Sequence, residues 1–505
     1  MDIRVERGDI AQQSADMIIV NLFEGVTSPG GGTGAVDAAL DGAISQVIND
    51  GGCRGKPNEM TMIHTLGKLP SPRVLVAGLG KQEDFTLDKV RALAATAGRY
   101  ARRARCERIA SITHGAGIAG LDPHDCAQAI AEGTVMGLYT FNRHKKPKED
   151  DIEVQELVLA EFDQSRITAL QRGVHRGVVL GEAANAARDL SNEPGNVLTP
   201  TELAARAQAL AADTGLECEV FDQPWMEEQG MGALLGVARG SDQPPKFIVL
   251  RYRGGGSSHL AYVGKGITFD TGGISIKPAA GMEEMKGDMS GGAAVIAAMG
   301  AIAKLKPKID ITAVIPATEN MPGGRATKPG DVVRAMDGKS IEVINTDAEG
   351  RLILADALCY VQAAIDGGPD AIVDVATLTG AISIALGDVA MGAMTNDDAL
   401  LGRLQRAAEE AGEKIWQLPM YEEYKDQIKS DVADMKNVGG RNAGSITAAF
   451  FLKEFVDDTP WVHIDMAGVD FYEKVKGVTV KGASGIPVRT LVHLAFILAN
   501  EPLEA

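Results

Sequence analysis

Four carboxylates in two short, glycine-bearing stretches are the residues of this chain best suited to chemistry. Asp347 and Glu349 stand two apart in Asn345-Thr346-Asp347-Ala348-Glu349-Gly350-Arg351. Asp270 closes the stretch Gly264-Lys265-Gly266-Ile267-Thr268-Phe269-Asp270, and Asp288 follows in Met285-Lys286-Gly287-Asp288. Brought into one pocket, four negative charges repel and push their own pKa values upward. Two divalent cations carry the charge that neutralises them, and oxygen-rich sites suit hard or borderline ions such as Mg²⁺, Mn²⁺ and Zn²⁺. Two such ions roughly 3.5 to 4 Å apart activate a water and polarise a substrate oxygen. Lys277 and Arg351 are the cations left over, placed to stabilise an anionic tetrahedral intermediate.

Each of these residues also has an ordinary structural reading. Asp288 or Ser290 can cap the Ala-rich helix that follows, Asp270 at a strand end can bond a turn amide, and a solvated turn tolerates Asp, Glu and Gly at 347–350. Lys265 between glycines invites a phosphate loop, but the full G-x-x-x-x-G-K-[ST] pattern is absent. The glycine run at 30–34 has the same ambiguity, with backbone suited to a phosphate and no following Lys and Ser/Thr.

The elements that must position these groups alternate between strand-like and helix-like patterns, which predicts an α/β fold. In the first part, strands are expected at 3–5, 16–20, 60–64, 74–77, 108–112 and 154–160, with helices at 36–48, 87–103 and 123–138. The charged, Pro-containing stretch 142–151 has linker character. A long helix is expected over 165–190, bridging two domains, and Thr199 or Thr201 is placed to cap the next one. Further strands are expected at 218–221, 246–251, 259–263, 309–315, 341–344, 371–375 and 461–464. Helices over 352–365 and 485–498 accompany them in a doubly wound, mostly parallel sheet. The run 341–344 reads as a short buried strand feeding directly into the Asp347 turn, at the carboxyl edge of that sheet, where ligands bind.

At 505 residues the chain exceeds a single core's usual size, so two domains are expected. The divisions read from the pattern are 1–164, a linker helix at 165–190, and 191–505. A net charge of −18 disfavours a nucleic-acid polyanion as main partner. Five scattered cysteines without a C-x-x-C pair argue against a disulfide framework or a thiolate zinc site and fit a reducing compartment. The first ten residues carry no signal-peptide core and no run of 18 apolar residues stands out, so a cytoplasmic protein without membrane attachment is expected.

The heptapeptide 345–351, together with 263–273, Lys277-Pro278, 285–292, Glu319-Asn320-Met321-Pro322 and Asp465-Met466-Ala467-Gly468, closely resembles the leucyl aminopeptidase (cytosol aminopeptidase) family over residues 180–495. The first domain looks like that family's smaller, macro-domain-like α/β unit. The resemblance implies release of the first residue, leucine and others, from short peptides. It implies two divalent ions (Mn²⁺ or Zn²⁺) per subunit, one held at Lys265, Asp270, Asp288 and Glu349, the other at Asp270, Asp347 and Glu349. Lys277 and Arg351 fall at the catalytic positions, Arg351 holding a bicarbonate as general base. The first-residue pocket maps to Met285, Asn345, Thr377, Gly380 and Ala467. Asp470 stands where many relatives carry a small or apolar residue; it either lines the pocket or points to solvent, the second being preferred. A homohexamer with inward-facing sites is implied. A DNA-binding, regulatory role, known among bacterial members, is the alternative reading.

Overall fold

The computed structural model describes residues 1–116, 120–146 and 152–503. Of the charged stretch expected to act as a linker, residues 147–151 lie outside the described residues. The chain forms two compact units, Met1–Glu182 with Glu473–Lys481, and Ala183–Tyr472 with Gly482–Ala505.

The first unit is a six-stranded sheet of β1 (Asp2–Arg7), β2 (Met17–Phe23), β3 (Met60–His64), β4 (Arg73–Gly80), β5 (Arg108–Ile112) and β6 (Glu156–Glu161). The order is β1-β6-β5-β2-β4-β3, parallel except where β3 runs against β4. Alternation along β2 sends Ile18, Val20 and Leu22 to one face and Met17, Ile19 and Phe23 to the other. Helices α1 (Gly31–Ala39) and α2 (Ala43–Asn49) cover the first face through Val36, Leu40 and Ile44. Helices α3 (Leu87–Arg103) and α4 (Pro123–Gly137) cover the second through Val90, Leu93, Ala127 and Ile130. The single helix expected over 36–48 is in fact α1 and α2. Asp41 and Gly42 both take positive φ (55° and 80°), and the Asp37 carboxylate accepts the N–H groups of Ile44 and Ser45, capping a new helix.

Helix α5 (Ile167–Asn192) runs through the division between the units. Thr199 caps α6 (Pro200–Thr214), its hydroxyl accepting Glu202 N–H at 3.3 Å, and Pro200 occupies the first turn where its missing N–H costs nothing.

The second unit carries β7 (Glu217–Phe221), β8 (Lys246–Arg253), β9 (His259–Gly264), β10 (Gly266–Asp270) and β11 (Asp310–Asn320), with short helices α7 (Gln223–Glu228) and α8 (Gly232–Ala238) between β7 and β8. It continues through β12 (Val332–Arg334), β13 (Ser340–Glu342), β14 (Ala371–Ala376), β15 (Met391–Thr395), β16 (Ile415–Gln417), β17 (Met435–Lys436) and β18 (Trp461–Asp465). The nine-stranded sheet reads β16-β15-β18-β14-β9-β11-β8-β7, with β10 alongside β11. Its centre, β18-β14-β9-β11, is parallel, and antiparallel pairs flank it. Helix α9 (Ser290–Leu305) is buried almost throughout. The stretch Met282–Leu305 is long and apolar enough to cross a membrane, but 89% of its apolar window is packed inside the fold, as in a core helix. Helix α10 (Gly350–Ala363) packs Ile353, Leu354 and Ala357 into the core cluster that holds Ala261, Val263, Val314 and Ile372 of the sheet.

The run 341–344 departs from expectation. Only Ser340–Glu342 is strand, and it lies in a separate three-stranded sheet, β12-β13-β17, outside the central one. Ile344 is exposed. The chain is diverted there because Asn437, fully buried, accepts Ile344 N–H through Oδ1 and donates through Nδ2 to the carbonyls of Asn345 and Ala348. The Asp347 turn therefore rests on a side chain rather than on a sheet edge.

Candidate metal centre

The two stretches meet. Lys265, in the step between β9 and β10, is buried, and its Nζ lies 2.7 Å from Asp288 Oδ1, 3.0 Å from Glu349 Oε1 and 2.8 Å from the Thr377 carbonyl. This approach depends on Gly350. A Cβ there would stand 2.7 Å from Lys265 Cε and 2.8 Å from Nζ. Lys277 Nζ lies 2.8 Å from Asp270 Oδ2 and 2.5 Å from Asp347 Oδ1. Asp270, Asp347 and Glu349 each place a carboxylate oxygen within 4.8 Å of the other two.

Neighbouring polar groups hold these carboxylates in position. Asp270 Oδ1 accepts Gly272 N–H (2.8 Å) and Asn320 Nδ2 (2.7 Å), and the same amide reaches the Thr346 carbonyl (2.9 Å) and Glu349 Oε2 (3.4 Å). Gly272 has φ +86°, and a Cβ there would come within 2.7 Å of Asp347 Oδ1. Asp347 N–H donates to Asn345 Oδ1. Asp288 does not cap α9, and neither does Ser290. The Asp288 carboxylate is taken by Lys265 and by Thr377 Oγ1 (2.8 Å), while the Ser290 hydroxyl donates to the Gly287 carbonyl and to Ser191 Oγ.

Charge follows geometry. Burial works against the charge on Lys265, but Asp288, Glu349 and Asp270 outweigh it and hold the ammonium above the usual lysine range. Lys277 is raised in the same way by Asp270 and Glu349. Burial is the main reason Asp288, Asp347 and Glu349 are raised. Arg351 is buried and burial pushes it down to about 10, against the pull of Glu349 and Asp465. Its NH1 donates to the Asn437 carbonyl at 2.8 Å, and its Nε has no partner among the described residues.

This donor set fits divalent cations. Beyond the three clustered carboxylates, Asp288 Oδ2 is buried with no hydrogen-bond partner among the described residues, an expensive condition that a cation would relieve.

The chain matches the model of the cytosol aminopeptidase family's catalytic domain over residues 185–492 and that of the family's N-terminal domain over 19–148. The chain belongs to the cytosol aminopeptidase family. A probable cytosol aminopeptidase of Alkaliphilus metalliredigens is 46% identical over 98% of this chain and 99% of that protein, and one of Solibacter usitatus is 47% identical over 98% and 99%. Among solved structures, a mutant tomato leucine aminopeptidase superposes with TM-score 0.86 at 32% identity, covering 98% of this chain and 96% of the other. The bottromycin maturation enzyme BotP in complex with Mn gives 0.86 at 33%, covering 96% and 100%. The protein is thus a metal-dependent aminopeptidase with the two-part mixed α/β fold of cytosol aminopeptidases.

For a cytosol aminopeptidase, the residues expected to form the first-residue pocket fall on four segments. Met285 is half-buried on the 3₁₀ turn Met282–Gly287, and Asn345 is half-buried before the Asp347 turn. Thr377 is buried and Gly380 exposed after β14, while Ala467 is half-buried after β18. Asp465 joins the last two segments. It is fully buried and accepts Leu378 N–H, Thr379 Oγ1 and Ala467 N–H. Asp470 is half-buried rather than fully in solvent, burial pushing its carboxyl up to about 7 with Asp465 and Glu284 adding to the rise. Asn437 escaped the sequence reading altogether; it is uncharged and lies far from the heptapeptide it holds. Asn320 lay inside the quoted stretch 319–322, without an assigned task.

Proposed function

We propose that this aminopeptidase works with two divalent ions, Mn²⁺ or Zn²⁺, held by Lys265, Asp270, Asp288, Asp347 and Glu349. The observation that carries this reading is the closeness of the Asp270, Asp347 and Glu349 oxygens, with Lys265 joining Asp288 to the same cluster. When bound, the ions supply an activated water at neutral pH and polarise the scissile carbonyl. Lys265 binds only as the neutral amine, since the ammonium has no lone pair. Asn320 and Gly272 N–H orient Asp270, and Asn437 sets the turn from which Asp347 and Glu349 project. Lys277, the more exposed of the two catalytic candidates, donates to the substrate carbonyl oxygen as it gains negative charge. Arg351, whose Nε has no partner among the described residues, would hold a bicarbonate, which would supply the proton acceptor.

The family likeness supports a homohexamer acting in the cytoplasm on short peptides, and the manganese named with BotP supports that ion as one occupant. Chelation followed by add-back tests the metal reading. Leucine p-nitroanilide hydrolysis is expected to vanish with a chelator and to return with Mn²⁺ or Zn²⁺, reaching its plateau at two equivalents per chain by elemental analysis. A plateau at one equivalent, or activity surviving complete removal, rejects the two-ion site.

Asp470 is proposed to influence the first-residue preference, because it lies half-buried in the segment that carries Ala467 and within electrostatic range of Glu284, beside Met285. Asp470→Ala is expected to raise the ratio of kcat/KM for leucine over arginine p-nitroanilide by roughly threefold to tenfold, as expected for one partly solvated charge. An unchanged ratio removes Asp470 from specificity.

A further inference from the structure

Two of the segments expected to wall the first-residue pocket leave the sheet side by side. Strands β14 and β18 are parallel, with Ala376 opposite Asp465 at their carboxyl ends. Thr377–Gly380 follow the one, and Met466–Ala467 follow the other. Past a strand end, backbone N–H groups lose their acceptors in the sheet, and a buried N–H left unpaired is costly. Asp465 supplies what the sheet no longer does. It is fully buried. Its Oδ1 accepts Leu378 N–H at 3.1 Å, Thr379 N–H at 3.4 Å and Ala467 N–H at 3.3 Å, and its Oδ2 accepts the Thr379 hydroxyl at 2.6 Å. One carboxylate thus fixes both segments.

The segment after β14 is tied in two further directions. Thr379 Oγ1 caps the helix Gly380–Leu386 by accepting Ile382 N–H, and it lies 2.7 Å from Ser445 Oγ on the helix Gly444–Lys453. Toward the metal centre, the Thr377 carbonyl accepts Lys265 Nζ and the Thr377 hydroxyl donates to Asp288 Oδ1, both at 2.8 Å. The strand end beneath is clamped on both sides, since Lys265 N–H donates to the Val375 carbonyl and Met466 N–H to the Ala376 carbonyl. Residues 377–379 therefore join the expected pocket wall to the Lys265–Asp288 half of the metal centre, and Asp465 is the group that holds them.

We propose that Asp465 is a positioning residue for the first-residue preference, holding Thr377–Gly380 and Ala467 at the separation that sets the width of the pocket. Being buried, it acts through those segments. The proposal rests on the pocket reading given above. Asp465 also acts on the charge of Arg351, and a carboxamide separates that role from positioning. In Asp465→Asn the amide oxygen still accepts the three N–H groups. The new NH₂ donates to the Thr379 hydroxyl, which turns its own proton toward Ser445.

The test is the ratio of kcat/KM for leucine over alanine p-nitroanilide in the metal-replete full chain. Asp465→Ala is expected to lower this ratio about tenfold, chiefly through a higher KM for leucine, as a loosened apolar pocket discriminates less by size. Asp465→Asn is expected to keep the ratio within about threefold of the wild type, any fall in kcat being shared by both substrates. A merely structural role would lower both substrates alike and leave the ratio unchanged. Ala467→Val alters the wall directly and is expected to shift the ratio whatever Asp465 does, so it tests the pocket by itself. An unchanged ratio in Asp465→Ala beside a shifted one in Ala467→Val overturns the proposal and leaves the pocket standing. An unchanged ratio in Ala467→Val rejects the pocket reading and the proposal with it. A ratio as low in Asp465→Asn as in Asp465→Ala assigns the effect to charge and overturns positioning. If Asp465→Ala does not fold, Thr379→Val carries the test, because it keeps the side-chain shape and removes the bond to Asp465 Oδ2. It is expected to lower the ratio roughly threefold, and an unchanged ratio there overturns the proposal equally.

Discussion

Asp347→Asn and Glu349→Gln are each expected to lower kcat on leucine p-nitroanilide by on the order of 10³-fold or more, in metal-replete protein with an unchanged circular-dichroism spectrum. Each replacement keeps the size of the side chain and removes one negative charge from a cluster whose oxygens lie within 4.8 Å of one another. Glu349 is the more informative of the two. Its Oε1 lies 3.0 Å from Lys265 Nζ and its Oε2 lies 3.4 Å from Asn320 Nδ2, so it joins both halves of the centre. Glu349→Gln is therefore expected to lower metal content as well as turnover, which elemental analysis reads independently of activity. Activity within tenfold of the wild type in either variant removes that residue from the ligand set.

The second large effect concerns stability. Asp374, in the middle of β14, is wholly buried, and its carboxylate accepts Trp461 Nε1 at 2.7 Å and pairs with His463 Nδ1 at 2.6 Å. All three side chains lie in the parallel centre of the large sheet. Asp374→Ala leaves an indole N–H and an imidazole without an acceptor in a dry interior, at an expected cost of about 3 to 5 kcal/mol. Differential scanning calorimetry reads this as a large fall in the midpoint of the second unit. The pair also gives a pH signature. Burial opposes the charge on His463, but Asp374 outweighs it and holds the imidazole above its ordinary range. A raised histidine contributes stability that is complete below its unfolded value of about 6.5 and is lost as pH rises through the folded one. The wild-type midpoint is expected to fall on the alkaline side of that window, and this dependence is expected to be absent in Asp374→Ala. A pH-independent difference between the two proteins argues that His463 stays neutral.

What the sequence disclosed depended on how local each feature was. Charge and spacing were enough to single out Asp270, Asp288, Asp347 and Glu349, because a carboxylate beside glycine in a turn is conspicuous without a fold. Their meeting was not legible from spacing, since it depends on which strands lie side by side. The step from β9 to β10, which carries Lys265, approaches the start of α10 only through the pairing of β11 with β9 and β10. The helix break at Asp41 and Gly42 was masked by continuous apolar periodicity over 36–48. The expected strand at 341–344 had the right composition, but its pairing was decided by Asn437, a residue nothing local connects to it. His463 and Trp461 read as ordinary members of an apolar strand, and their shared partner Asp374 belongs to a different one.

The contact between Gly350 and Lys265 binds two positions into one choice. With hydrogen the only substituent that leaves room for the lysine Cε and Nζ, neither site can be varied profitably alone. Randomising residue 265 by itself would mostly open a void beside the helix start, and giving residue 350 any side chain would force the amine from its seat. A directed-evolution library aimed at different ion selectivity should therefore diversify both codons together, pairing shorter ligands at 265 with alanine or serine at 350.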